Sequence, residues 1–135
     1  MSGSKLLAKF AERRALTDES DGVSEDIDDH GAFGFLRGMH ERSPMICLRR
    51  KSGDIMAIGY SYIDRMSFDP SEGVTLFCGT RQITITGKNL NKEIRPNVSL
   101  FFGLTKNRVP WIAESDQPAA LQAAKDAVVV EAIRW

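Results

Sequence analysis

The stretch MICLRRKSGDIMAIGYSYIDRMSFDPSEGVTLFCGTRQITIT, Met45 to Thr86, decides the reading of the fold. Met45–Arg50 is an apolar run that ends in charge, as a strand entering a turn does. Lys51-Ser52-Gly53-Asp54 has hairpin chemistry, with Gly53 where positive φ is needed. From Ile55 to Phe68 the period is two: Met56, Ile58, Tyr60 and Tyr62 share one face, and Gly59 marks a bulge or bend. Asp69-Pro70-Ser71-Glu72-Gly73 is a turn in which Pro presets φ and Gly closes. Val74, Leu76 and Cys78 share one side of a third strand. Gly79-Thr80 leads into a fourth, Arg81–Thr86, where Ile83 and Ile85 alternate with Gln82, Thr84 and Thr86. Four strands joined by short turns predict an antiparallel β-meander, closed as a small barrel or roll.

Outward from this stretch the period changes. Pro96 suits the first position of a helix, and Val98, Phe101, Phe102 and Thr105 recur at helical spacing. Gly103 weakens that helix by roughly 1 kcal/mol relative to Ala. Arg108–Ala113 and Ala127–Trp135 read as two C-terminal strands, separated by Gln117–Asp126 as a loop or weak Ala-rich helix. In the last strand Val128, Val130 and Ala132 face one way, and Val129, Glu131, Ile133 and Trp135 the other. Upstream, residues 4–16 read as a short helix capped by Ser4, with Leu6, Leu7, Phe10 and Ala11 on one face. Gly31–Ser43 reads as a second short helix built on Phe33, Phe35, Leu36 and Met39 and ended by Ser43-Pro44. The expected class is therefore α+β: a meander, a following helix, two C-terminal strands and short N-terminal helices.

The formal net charge of zero conceals an uneven distribution. Thr17 to His30 holds seven acids (Asp18, Glu19, Asp21, Glu25, Asp26, Asp28, Asp29) and no Lys or Arg, whereas Arg42 to Arg108 holds eleven bases against five acids. A segment so charged and so poor in large apolar groups does not offset the entropy of ordering, so it reads as a flexible linker. The expected organisation is residues 1–30 as helix plus acidic linker and residues 31–135 as one domain. The two cysteines, Cys47 and Cys78, stand among apolar neighbours as buried thiols of a reducing compartment. With no secretory-type apolar core near the N-terminus and no membrane-length apolar run, a cytoplasmic location is expected.

Catalytic patterns are incomplete. The two histidines, His30 and His40, accompany no Ser or Cys in a Gly-rich elbow. The cysteines and histidines lack the paired spacing of zinc sites, and no phosphate loop is present. No catalytic residue, metal ligand or cofactor is therefore assigned. Tyr60, Tyr62, Asp64 and Arg65 could line a pocket in an enzyme of unrecognised type, although the period of two places both tyrosines in the core.

Three resemblances stand on quoted residues. Gly31-Ala32-Phe33-Gly34-Phe35-Leu36-Arg37 resembles part of the aromatic ribonucleoprotein motif and the Phe-Gly-Phe-Leu-Arg string of the RNA-binding domain of the transcription terminator Rho, which implies aromatics stacking on bases. The acidic flank and the Pro stop favour the other reading, with Phe33 and Phe35 in the core. Ser43–Asp64 is loosely similar to the first motif of Sm-like RNA-binding rings. Phe33 to Trp135, through Phe-Gly-Phe-Leu-Arg-Gly38, Phe68-Asp-Pro-Ser-Glu-Gly73, Gly87-Lys-Asn-Leu90 and Arg108-Val-Pro-Trp-Ile112, resembles a family of small uncharacterised bacterial proteins. That resemblance implies a domain boundary near Phe33 and no activity.

The leading expectation is a non-catalytic binding or assembly module with a protein partner or a second copy of itself. The alternative is a nucleic-acid-binding protein whose basic face comprises Arg49, Arg50, Lys51, Arg65, Arg81, Lys88 and Arg95, with Lys92, Lys106 and Arg108 nearby. In that case the acidic segment competes with phosphates for the same surface.

Overall fold

Alternation of apolar residues and well-placed turn glycines makes strands the dominant element of the described residues, and the division of those strands between sheets positions the candidate surface. The computed structural model describes residues 26–116 and 125–135, together with two extended segments, Ser4–Leu6 (β1) and Ala8–Lys9 (β2). The chain divides into two compact units, Met1–Asp28 with Arg37–Met39 and Asp29–Leu36 with His40–Trp135. In the first unit Arg37 pairs with Asp28 at 2.8 Å, so an acid of the expected linker takes an arginine outside the expected basic face. Ile27–Asp29 is itself a strand (β3). The rest of the linker, from Thr17 to Glu25, lies outside the described residues.

The second unit begins with Gly34–Leu36 (β4). Met45–Arg49 (β5) and Ile55–Gly59 (β6) follow as a hairpin. Gly53, at φ 103°, closes its turn. A 3-10 turn at Tyr60–Tyr62 then interrupts the chain. Arg65–Asp69 (β7), Gly73–Cys78 (β8) and Arg81–Lys88 (β9) form an antiparallel meander. A helix, Leu100–Thr105 (α1), precedes Trp111–Ala113 (β10) and Val129–Arg134 (β11). The three-stranded sheet has the order β10-β5-β6 and the four-stranded sheet β11-β9-β8-β7.

This corrects the expected α+β class: the described fold is mostly β, with one short helix and one 3-10 turn. The expected single long strand from Ile55 to Phe68 is broken at Tyr60–Tyr62, and its halves join different sheets, so the four strands form neither one meander nor a closed barrel. The predicted helix over 4–16 gives way to extended backbone at Ser4–Leu6 and Ala8–Lys9. The predicted helix over Gly31–Ser43 gives way to β4, where Ala32 through Leu36 are all buried. An apolar run buried on both sides carries no period of two, which is why it reads as helix. Downstream, α1 starts later than Pro96 because Asn97 takes a left-handed φ of 65° and Arg95 bridges Val98. Gly103, which weakens a free helix, is needed here: a Cβ would stand 2.6 Å from the Phe35 ring and 2.8 Å from a Val109 methyl.

The inner faces of both sheets share one buried cluster. Ile46, Leu48 and Ile112 come from the first sheet, and Val74, Leu76, Ile83, Ile85, Val130 and Ile133 from the second. Phe33, Phe35, Leu100 and Leu104 complete it. In β11 a register shift between Val130 and Ala132 breaks the expected alternation, with Val129 and Val130 both buried and Glu131 exposed. Gly73 is required twice over: its φ is 94°, and a Cβ there would collide with the carbonyl oxygen of Ile85.

The residues just after β10 join the sheets. The Glu114 carboxylate accepts N–H bonds from Lys51 at 2.9 Å and from Ile133 at 2.6 Å. Ser115 N–H donates to the Val130 carbonyl at 2.9 Å. Arg50 donates to the Ile133 carbonyl at 3.0 Å while its guanidinium lies 3.5 Å over the Trp135 ring. Ile133, on the outer edge of β11, thus has both backbone groups engaged by side chains. No helix among the described residues is long and apolar enough to cross a membrane.

Candidate functional site

The seven basic residues of the expected nucleic-acid face fall in separate places. Arg49, Arg50 and Lys51 cluster at the β5–β6 hairpin, where Arg49 lies 5.1 Å from the Trp111 ring centroid and Arg50 is held by Trp135 and Ile133. Arg50 also approaches Asp54 at 3.7 Å. Arg65 and Arg81 sit at one end of the four-stranded sheet, with Arg65 stacked 4.1 Å over Phe77. Lys88 is at the other end of β9, roughly 24 Å away at about 3.4 Å per residue. Arg95 belongs to the turn before α1. The structure brings together the first three and the next two, but it does not bring the seven together. The aromatics of the ribonucleoprotein-like string do not stand on an open sheet: Phe33 and Phe35 are buried.

A cleft of about 420 Å³ opens at the Lys88 end of the four-stranded sheet. Its walls are the Asp69–Gly73 turn and the Gly87–Lys92 segment, two stretches quoted above from the bacterial resemblance. The first wall is braced within its turn and the second by residues 125–127. Asp69 accepts from Ser71 N–H at 2.8 Å, from Ser71 Oγ at 2.7 Å and from Glu72 N–H at 3.2 Å. The Ser71 hydroxyl, its backbone N–H and that of Glu72 hold the Asp69 carboxyl below its ordinary range. Lys92 pairs with Asp126 at 2.9 Å and holds that carboxyl low in turn. Asp69 and Ser71 are thus engaged within their own turn, whereas Asn89 and Lys92 bond Lys125, Asp126 and Ala127. No group of three or more His, Cys, Asp or Glu among the described residues is placed to hold a metal ion.

The surface that departs from ordinary sheet physics is the outward side of the three-stranded sheet. Residues opposite each other in neighbouring strands share a face. In the four-stranded sheet the outward rows are polar but for Phe77, which lies under the Arg65 guanidinium: Arg65, Phe77 and Gln82, then Ser67, Thr75, Thr84 and Arg134. In the three-stranded sheet they are apolar. Met45 is opposite Gly59, Cys47 stands between Trp111 and Ala57, and Arg49 stands between Ala113 and Ile55. Arg49 is the one charged residue of this set.

This face is open. Met45 is 43% exposed and Ile55 63%. Tyr62, expected in the core, is 74% exposed. The 3-10 turn carries its ring over Gly59, where a Cβ would stand 3.1 Å from Tyr62 Cδ2 and 3.7 Å from Met45 Sδ. Sequence reasoning missed this face because it assigned no faces to Met45–Arg50 and placed Tyr62 on the same face as Met56, Ile58 and Tyr60. The available signal is that Met45–Leu48 and Ile55–Gly59 are uncharged at both odd and even positions, which a half-solvated strand is not.

Among the described residues, the β6 edge of this sheet is open as well. Elsewhere the free edges are covered or charged: Ala113 N–H donates to Ala32 and Ile112 bridges Phe33 along β10, while β7 has Arg65 and Asp69 at its ends. Among the described strands β6 pairs with β5 alone, and it carries no charge and no Pro, the usual guards of an edge strand. No protein-family model, no curated protein and no solved structure matches this chain.

Proposed function

We propose that this protein is a non-catalytic assembly module that associates with further copies of itself through its three-stranded sheet. The observation that carries the proposal is the grouping of Met45, Ile55 and Tyr62 on one outward face. Those side chains alone expose on the order of 400 Å², about half of the roughly 800 Å² that each partner buries in a stable interface. Their neighbours Ala57, Trp111 and Ala113 extend the patch in register. Burial of this area is favourable by the hydrophobic effect and needs no charged partner.

Light scattering on the eluting protein tests this. The mass at concentrations up to about 100 µM, where a micromolar interface is saturated, is expected at a multiple of 15.0 kDa. Ile55→Lys is expected to return it to 15.0 kDa with an unchanged circular-dichroism spectrum. A wild-type protein that stays at 15.0 kDa throughout overturns the proposal.

A further inference from the structure

From the phase of the β5–β6 ladder we infer that two copies join edge to edge, β6 against β6 in antiparallel register with Ala57 on the two-fold axis, giving a closed pair with one continuous six-stranded sheet. This rests on the assembly reading above and specifies its geometry. Two bonds set the phase: Arg50 N–H to the Asp54 carbonyl at 2.8 Å and Tyr60 N–H to the Pro44 carbonyl at 3.0 Å. In an antiparallel ladder bonded and non-bonded pairs alternate. Asp54, Met56, Ile58 and Tyr60 therefore point their backbone groups at β5, and Ile55, Ala57 and Gly59 point theirs away from it. Each protomer offers three N–H and three C=O groups along an edge that no strand among the described residues pairs with; the Gly59 carbonyl, which caps the 3-10 turn, offers its second lone pair.

Only a partner strand of matching phase uses all six. With Ala57 opposite Ala57, Ile55 of each copy lies opposite Gly59 of the other, and every outward donor meets an outward acceptor. A two-fold centred one residue along, on Ile58, leaves Ile55 facing the 3-10 turn and loses a third of these bonds.

The same register solves the side-chain problem. Gly59 has no side chain, and the space above it is bordered by Tyr62 and Met45 of its own chain. Ile55 of the second copy comes to lie against that border, so Ile55 of each copy packs beside Tyr62 and Met45 of the other, once on each side of the axis, while Trp111 and Ala113 stay on the outward face. On the inner face Met56 of each copy, partly buried at the margin of the core like Ile58, comes opposite Ile58 of the other. The interface is isologous and closes at two copies, because it occupies the only uncharged open edge among the described strands. It also removes that edge, as an exposed uncharged strand otherwise templates open-ended association.

The test separates this geometry from assembly by stacking of sheet faces. Ala57→Pro deletes an N–H that bonds nothing within the protomer and places the proline ring in the path of an incoming strand. The wild-type chain is expected at twice 15.0 kDa and Ala57→Pro at 15.0 kDa with its circular-dichroism spectrum preserved. A wild-type pair that persists in Ala57→Pro overturns the edge register and leaves the assembly reading standing. A wild-type mass above two copies overturns the closed pair, and a wild-type monomer overturns both readings. A second variant decides independently of how well the proline chain folds. Opposed bonded residues are about 5.5 Å apart at Cα, within the roughly 4.4–6.8 Å span of a disulfide. Ala57→Cys is placed in a chain that also carries Cys47→Ser, since Cys47 is the β5 neighbour of Ala57. Oxidised glutathione is expected to convert it to a disulfide-linked pair, and failure to cross-link overturns the register.

Discussion

Tyr60 shows how one residue ties the β6–β7 junction to the core. The 3-10 turn places its ring inside, and the hydroxyl donates to the Val109 carbonyl at 2.6 Å. Burial pushes its phenol well above the ordinary value of 10.0. Below pH 10 both folded and unfolded chains hold the proton, and the stabilising contribution is complete. Above pH 10 the unfolded chain releases the proton first, so stability falls as pH rises, by at most about 1.4 kcal/mol per pH unit from this one group. Tyr60→Phe is expected to cost about 1 kcal/mol at pH 7, by leaving the Val109 carbonyl unpaired, and to flatten the alkaline slope by the Tyr60 share. Urea unfolding of both chains between pH 7 and 11 checks this; an unchanged slope would mean that another group carries it. Tyr62, two residues on, meets the opposite fate, and the difference is one turn of 3-10 geometry that no local residue type announces.

At the scale of elements, Glu114 binds two sheets through one carboxylate. Hydrogen bonds to a charged group contribute about 1.5–3 kcal/mol each when buried, and partial exposure lowers this. Glu114→Ala is expected to destabilise by roughly 2 kcal/mol, and Glu114→Gln, which keeps one acceptor, by about half that. Faster amide exchange at both Lys51 and Ile133 in Glu114→Ala is the companion readout, and exchange unchanged at either would break the link between the sheets. Some of this architecture is legible in the sequence. Gly53, Gly73 and Gly79 mark turns because only positive φ closes them, and antiparallel pairing of strand neighbours follows from turns so short. The break at Tyr60–Tyr62 is not legible, since apolar residues at Met56, Ile58 and Tyr60 continue one alternation across it. Nor is the parallel pairing of β10 with β5, which depends on a partner far along the chain. The outward face is legible only in part: the apolar run at Ile55–Gly59 says that both sides of β6 avoid water, but not which side meets the core.

At the scale of the whole molecule, the acidic and basic totals say little about function, because position outweighs count. The basic residues disperse over a hairpin, a sheet end and a turn, and Asp28 spends its charge on Arg37. What extends across the molecule is the connection between β5 and β10. Cys47 and Trp111 are adjacent in the sheet yet more than sixty residues apart in sequence, with three strands of the second sheet, β7 to β9, between them. Chain entropy makes such a closure slow, whereas the β5–β6 hairpin and the β7–β9 meander close over a few residues. The route to the native state therefore has an order: local hairpins first, β10 last. Ile→Val substitutions in cores cost about 0.5–1.5 kcal/mol, enough to locate the transition state. Stopped-flow chevrons should show Ile83→Val slowing folding, and Ile112→Val accelerating unfolding with the folding rate unchanged. A slowed folding limb in Ile112→Val would reverse that order. During synthesis the same order leaves β5 bare on its β10 side until the ribosome has released residue 113, so for most of its emergence the nascent chain presents two unpaired strand edges and depends on chaperones or on speed to keep them apart.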